Sequence, residues 1–302
     1  MPFTPRDVKA LREKTGAGMM DSKKALESAD GDMEKAIEYL REKGLAAAAK
    51  KSGRIAAEGA VYAEIDKASN AGVLLEVNAE TDFVAENDIF KQFVKTVAAT
   101  ILKQNPADVA ALLAMKADGS DQTVEELLNE KVLSIGENIK IRRFARLEGD
   151  LISYIHGGGR IGVMVRFDTD VADKDGFAEY GKDVAMQIAA MNPQYLDEKA
   201  VPADVVEEEK KVLTVQAMNE GKPENIAEKM VNGRIRKYFK EICLVDQEFV
   251  KDSSLTVSKY TTETAKKLGG KIAIAEYVRF EKGEGLQKRE DDLAAEVASL
   301  VK

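Results

Sequence analysis

Cysteine occurs once in the 302 residues, at Cys243, histidine once, at His156, and tryptophan not at all. A lone cysteine cannot close an internal disulfide, which fits a reducing cytoplasm, and Cys243 reads as a small buried apolar side chain. A lone histidine leaves no His-based metal cluster and no local Cys-His pair. Apolar runs are a handful of residues long, far short of the ~20 that span a bilayer, so no membrane partner is expected. There is no basic excess either. The 45 Lys and Arg face 53 Asp and Glu, giving a net charge of -8. That balance argues against a general nucleic-acid binder, which needs a basic face. The opening Met1-Pro2-Phe3-Thr4-Pro5-Arg6 has no apolar signal core, so neither secretion nor import is indicated.

Catalytic and cofactor patterns fail one by one. His156-Gly157-Gly158-Gly159 has the look of an oxyanion loop, but no G-x-S-x-G nucleophile elbow exists in the chain. The same glycines form no Walker or dinucleotide fingerprint and read as a hairpin turn between Ile155 and Ile161. Asp168–Gly176 resembles a calcium loop only superficially. With Gly176 at the sixth position, Val171 and Lys182 fall where oxygen ligands are required. No enzyme, no metal and no cofactor is expected.

What is present is a helix-rich chain with an internal repeat. Val8 and Leu11 begin an apolar stripe that breaks at Thr15-Gly16-Ala17-Gly18. A second helix, capped by Asp21 or Ser22, carries Ala25 and Leu26, and a third after Asp30-Gly31-Asp32 carries Ala36, Ile37 and Leu40. Glu58–Ile65 is echoed by Glu148–Ile155, and Ala71–Val77 by Ile161–Phe167, each pair alternating as a β-hairpin. A helix follows in both copies, with Phe90 and Phe93 matched by Phe177 and Tyr180. The strand-to-helix connection is longer in the first copy, and there lies Thr81-Asp82-Phe83-Val84. Further strands are expected at Ile139–Leu147 and Ile272–Phe280. Between Pro193 and Ile242 two helices are expected. Val205, Val206, Val212, Leu213 and Met218 mark one, Ile226, Met230, Ile235 and Tyr238 the other, with a turn at Asn219–Pro223. The narrow apolar face predicts a projecting antiparallel coiled coil. Leu286–Val301 reads as a last amphipathic helix.

The connection after Val77 leaves two readings open. Phe83 tucks into its own core while Asp82 caps the next helix, or Phe83 stays outward as an anchor for another protein's pocket. Met19 and Met20 pose the same choice between core and an adaptable apolar patch.

At these residues the chain resembles the bacterial elongation factor Ts family. Leu11-Arg12-Glu13-Lys14-Thr15-Gly16-Ala17-Gly18-Met19-Met20-Asp21-Ser22-Lys23-Lys24-Ala25-Leu26 is similar to its N-terminal signature, and Glu76-Val77-Asn78-Ala79-Glu80-Thr81-Asp82-Phe83-Val84 to its second. The likeness continues through Gly136-Glu137-Asn138-Ile139, Ile226–Val231 and Arg279–Gly285, in order along nearly the whole chain. The resemblance implies an α+β protein. Residues 1–45 would be a ubiquitin-associated-like three-helix module, 46–57 a linker, 58–140 and 141–282 two core subdomains, and 283–302 a C-terminal helix. The helical hairpin would insert at about 193–242. It implies guanine-nucleotide exchange on elongation factor Tu, bound with GDP or nucleotide-free, in the cytoplasm. Asp82 and Phe83, flanked by Thr81 and Val84, would wedge into the partner and disturb its magnesium ion. Met19, Met20 and His156 would make further contacts. The coiled coil would lie along the partner or pair two copies. The missing transit sequence points to a bacterial member. The competing reading is a ubiquitin-associated-like adaptor that scaffolds other proteins without stimulating exchange.

Overall fold

The computed structural model describes residues 3–220 and 224–287. Helix α1 (Pro5–Thr15) begins at a capping box in which the Thr4 hydroxyl accepts the Asp7 amide and the Asp7 carboxylate accepts the Thr4 amide. It stops at Gly16, which takes the left-handed conformation at φ 68°. Helix α2 (Met19–Ser28) starts earlier than its polar residues suggest. Gly18 is the cap, and the expected caps, Asp21 and Ser22, lie inside the helix. Ser22 donates its amide to the Gly18 carbonyl at 2.9 Å and is buried. Helix α3 (Met33–Lys51) is capped by the Asp32 carboxylate on two amides. Leu11, Ala25, Leu26, Ala36 and Leu40 form the core of these three helices. The Ala-rich stretch expected as a linker continues α3 to Lys51, because alanine and lysine are strong helix formers.

Two three-stranded antiparallel sheets follow. The first joins β1 (Glu58–Asp66), β2 (Ala71–Ala79) and β3 (Lys140–Glu148), in that order. Between β2 and β3 run α4 (Asp82–Glu86), α5 (Asp88–Gln104), α6 (Val109–Ala114) and α7 (Val124–Ile135). The second sheet joins β4 (Asp150–His156), β5 (Ile161–Thr169) and β8 (Ile272–Glu281). Between β5 and β8 come α8 (Phe177–Met191), α9 (Ala203–Asn219), α10 (Glu224–Ile242), the short ribbon β6 (Glu248–Phe249) and β7 (Asp252–Thr256), and α11 (Val257–Leu268). The strand expected to open the second unit thus closes the first. The sheets part at Gly149, eight residues beyond the boundary expected between 140 and 141.

Each sheet carries its helices on one face and the other sheet on its opposite face. Phe90, Phe93, Val97 and Ile101 of α5 fill the first helix side, and Phe177, Tyr180, Val184 and Ile188 of α8 the second. Val61, Leu74, Leu151, Met164 and Phe280 fill the seam between sheets. Covered on both faces, β2 is buried along all nine residues, so its exposure does not alternate. At the seam the backbones come close at Gly72 and Gly162. A Cβ on Gly72 would meet Leu151 and Met164 at 2.9 Å, and one on Gly162 would meet Val61 at 2.4 Å and Leu74 at 2.9 Å.

Helices α9 and α10 lie side by side, with Leu213 facing Val231 and Ile235. Leu213 is buried on that face as expected, but Val212 and Met218 are exposed, because the contact line runs through Leu213 and Ala217, one turn apart. The turn at Gly221–Pro223 lies outside the described residues, and so do 288–302, which hold most of the expected C-terminal helix. The described part of that segment, 283–287, is a turn rather than a helix.

Candidate functional site

The Thr81–Val84 segment forms the start of α4, a single helical turn between the buried strand β2 and the long helix α5. Its two ends are fixed in different ways. Val84 is buried in the core beneath α5. Thr81 donates its amide to Glu137 at 2.9 Å and its hydroxyl to the same carboxylate at 2.7 Å. Glu80 accepts the Asn138 amide at 2.6 Å and lies 3.4 Å from the Arg54 guanidinium. The Asn87 side chain then caps α5 through the Ile89 amide at 2.8 Å. Glu86, paired with Lys91 at 2.6 Å, is held below the usual carboxylate range by that ammonium.

Between these fixed ends Asp82 and Phe83 face solvent. Phe83 is 84% exposed, the most exposed large apolar side chain among the described residues. Its burial in its own core, one of two readings the sequence left open, does not occur. A phenyl ring left in water beside a well-packed core forgoes ~1.5–3 kcal/mol of burial, so local stability does not account for its place.

His156 sits at the tip of the β4–β5 hairpin, exposed, with its Nδ1 2.9 Å from the Tyr154 hydroxyl. Gly157, Gly158 and Gly159 make the turn that returns the chain to Ile161. The hairpin turn and the residues that follow the Thr81–Val84 segment border one groove of about 250 Å³, with Ala85, Phe90 and Lys91 on one bank and Ile155, Gly158 and Gly159 on the other. The Val61 amide donates to the Gly159 carbonyl at 2.8 Å beneath it, tying the tip to the first sheet. Met19 and Met20, 59% and 64% exposed at the start of α2, belong to the three-helix unit. That unit meets the body through α3 and α7, where Arg41 pairs with Glu126 and Lys51 donates to the Val132 carbonyl at 3.2 Å.

Four residues that support the segment were given no role by the sequence: Arg54, and Glu80, Glu137 and Asn138, which stood only within the motifs that carry the resemblance. Beyond those motifs, the local signal is that Glu137 and Asn138 follow the helix-ending Gly136. Partners 56 and 58 residues apart cannot be paired from a single chain's pattern.

The family described as Elongation factor TS matches residues 80–284. The elongation factor Ts of Clostridium perfringens (strain SM101 / Type A) is 53% identical over 301 residues, covering 99% of each chain. That of Clostridioides difficile (strain 630) is 51% identical over 302 residues, again covering 99% of each. That of Trichlorobacter lovleyi (strain ATCC BAA-1151 / DSM 17278 / SZ) is 50% identical over 306 residues, covering 99% of this chain and 98% of the relative. Likeness of this extent places the chain among the translation elongation factors with exchange-factor function. The chain belongs to the elongation factor Ts family.

No helix of the described residues is long and apolar enough to cross a membrane. Cys243 is buried, and burial, with Asp246, Glu198 and Asp197 nearby, pushes its thiol up to about 11.

Proposed function

We propose that this chain is a non-enzymatic guanine-nucleotide exchange factor that binds elongation factor Tu in its GDP-bound and nucleotide-free forms in the cytoplasm. The observation that carries the reading is the 84% exposure of Phe83 on a segment fixed at both ends. Phe83 enters the GTPase's nucleotide domain, and Asp82 supplies the polar contact beside it. Displacement of the partner's loops loosens the magnesium ion that holds GDP there, and no residue of this chain ligates that ion. Only a factor with higher affinity for the nucleotide-free than for the GDP-bound state shifts the equilibrium, so insertion must be possible chiefly in the former. Broader contacts supply the affinity that offsets the insertion. His156 stands on the hairpin whose Ile155, Gly158 and Gly159 line the groove opposite Ala85, and it is assigned to this contact. The three-helix unit is read as the ubiquitin-associated-like module, with Met19 and Met20 as an adaptable apolar contact.

Helices α9 and α10 are read as the coiled-coil arm. Val212, Val215 and Met218, three residues apart and exposed, offer a surface that lies along the partner or pairs with a second copy. Sedimentation of the free protein separates these two uses. The exchange reading is tested by stopped-flow release of labelled GDP from elongation factor Tu. Acceleration by the wild-type chain supports it, and an unaltered release rate overturns it in favour of a scaffolding adaptor.

A further inference from the structure

We infer that Glu80 and Glu137 are positioning residues for Phe83, acting through a crossed pair of carboxylate–amide hydrogen bonds. Glu137 accepts the Thr81 amide at 2.9 Å, and Glu80, the residue before Thr81, accepts the amide of Asn138, the residue after Glu137, at 2.6 Å. Two consecutive residues on each segment therefore exchange bonds in opposite directions. The result is a two-rung ladder built with carboxylates in place of carbonyls, and charge-assisted bonds of this kind are the stronger sort. Asn138 extends it by donating its side-chain amide to the Arg54 carbonyl at 2.8 Å. Lys51 and Arg54 supply positive charge beside the two carboxylates.

The position of Thr81 shows what this ladder serves. Thr81 stands at the cap of α4, where a threonine hydroxyl ordinarily accepts an amide of the first turn. Here it makes no such bond, and its hydroxyl is directed to Glu137 at 2.7 Å. Local helix capping is given up for a long-range tether. Helix α4 has five residues, too few to hold a direction by its own hydrogen bonds. Val84 anchors the far end in the core, so the Glu80–Glu137 ladder is what fixes the near end. With both ends held, Phe83 is presented in one orientation and insertion does not have to order it first.

The inference rests on the exchange reading for its functional part, and the experiment separates the two. Hydrogen exchange of the free full-length chain is followed across residues 78–87, and maximal and half-saturating GDP release from elongation factor Tu is measured alongside. Glu137→Ala is expected to speed amide exchange in this segment about tenfold, with the other elements unchanged. It is expected to cut the maximal release rate about tenfold while moving the half-saturating concentration little, in line with the known cost of misplacing a contact group. Glu137→Gln, which keeps one acceptor oxygen, falls between. In a Phe83→Ala background, Glu137→Ala adds no further loss, as required if it acts through Phe83. Unchanged amide exchange overturns the ladder outright. A loosened segment with an unchanged maximal rate, or an equal loss with Phe83 already removed, overturns the positioning role. A wild-type chain that does not speed GDP release overturns the exchange reading instead, and hydrogen exchange then decides the ladder alone.

Discussion

Glu76 and Arg166 occupy the same position in the two sheets and carry opposite charge. Each lies on the central strand beside a register shift, and each pairs across to the third strand with a residue of the opposite sign, Arg143 for Glu76 and Glu276 for Arg166. The bonds are 2.6 Å and 2.5 Å long. The duplicated frame has kept the ion pair and exchanged its ends. Only the first copy is closed from solvent. The Glu76 side chain is fully buried and takes further bonds from Arg142 at 2.9 Å, Asn78 at 3.1 Å and the Gly283 amide at 2.8 Å.

Glu76→Ala is therefore expected to cost ~3 kcal/mol, since it removes the buried anion shared by Arg142 and Arg143, which keep only their bonds around Glu281 and Glu284, and leaves the buried Gly283 amide without its acceptor. Glu276→Ala, at the half-exposed equivalent, leaves the urea midpoint almost unmoved. Chemical denaturation of the two variants side by side checks the contrast.

The same carboxylate sets an acid limit. Burial on its own raises Glu76, but the bonds from Gly283, Arg142, Arg143 and Asn78 together outweigh it and hold the group below its ordinary value. A carboxylate depressed in the folded state contributes stability that is present above its unfolded pKa, near ~4.3. That stability is lost as pH falls below this value and through the lower folded one. Thermal melts from pH 7 downward should show the loss, and Glu76→Gln should flatten its acid side.

The seam glycines give a steric test. Gly162→Ala places a methyl against Val61, whose β-branched side chain has little freedom to move, and should cost ~1–3 kcal/mol. Gly72→Ala meets the flexible ends of Leu151 and Met164 and should cost less. Equal losses in chemical denaturation contradict this account of the seam.

Cys243 should resist a thiol–disulfide reagent at pH 8 in the native protein and react at once in denaturant, because burial pushes its thiol up to about 11. A thiol raised on folding favours the folded state below the unfolded value near ~8.5 and loses that contribution as pH climbs toward the folded one. Cys243→Ala should accordingly lessen the fall in stability above pH ~8.5.

Much of this molecule was legible locally. The repeat was readable because Glu58–Ile65 and Glu148–Ile155 keep the same strand pattern. The turn at Gly157–Gly159 was readable because consecutive glycines permit the positive φ it needs. The long connection holding Phe83 stood out because Ala79 to Phe90 exceeds Thr169 to Phe177 by three residues. What escaped depended on distance. The Glu80–Glu137 ladder joins residues more than fifty apart. The burial of β2 on both faces depends on a second sheet that no single strand announces. Val212 and Met218 were read into one apolar stripe with Leu213, yet only Leu213 of the three is buried, with Ala217 a turn away. Ser22 looked like a cap because its type caps helices, but Gly18 already opens that turn.

Phe83 carries the central claim, and one measurement addresses it most directly. Release of labelled GDP from elongation factor Tu is followed by stopped flow with the wild-type chain, Asp82→Ala and Phe83→Ala, after each variant's thermal melt is recorded. Because Phe83 is exposed, its replacement should leave stability within about 0.5 kcal/mol. Its loss as an anchor should cost ~2 kcal/mol or more in the exchange step, roughly thirtyfold in rate, and more than Asp82→Ala costs. Folded variants that release GDP as fast as the wild-type chain contradict the wedge.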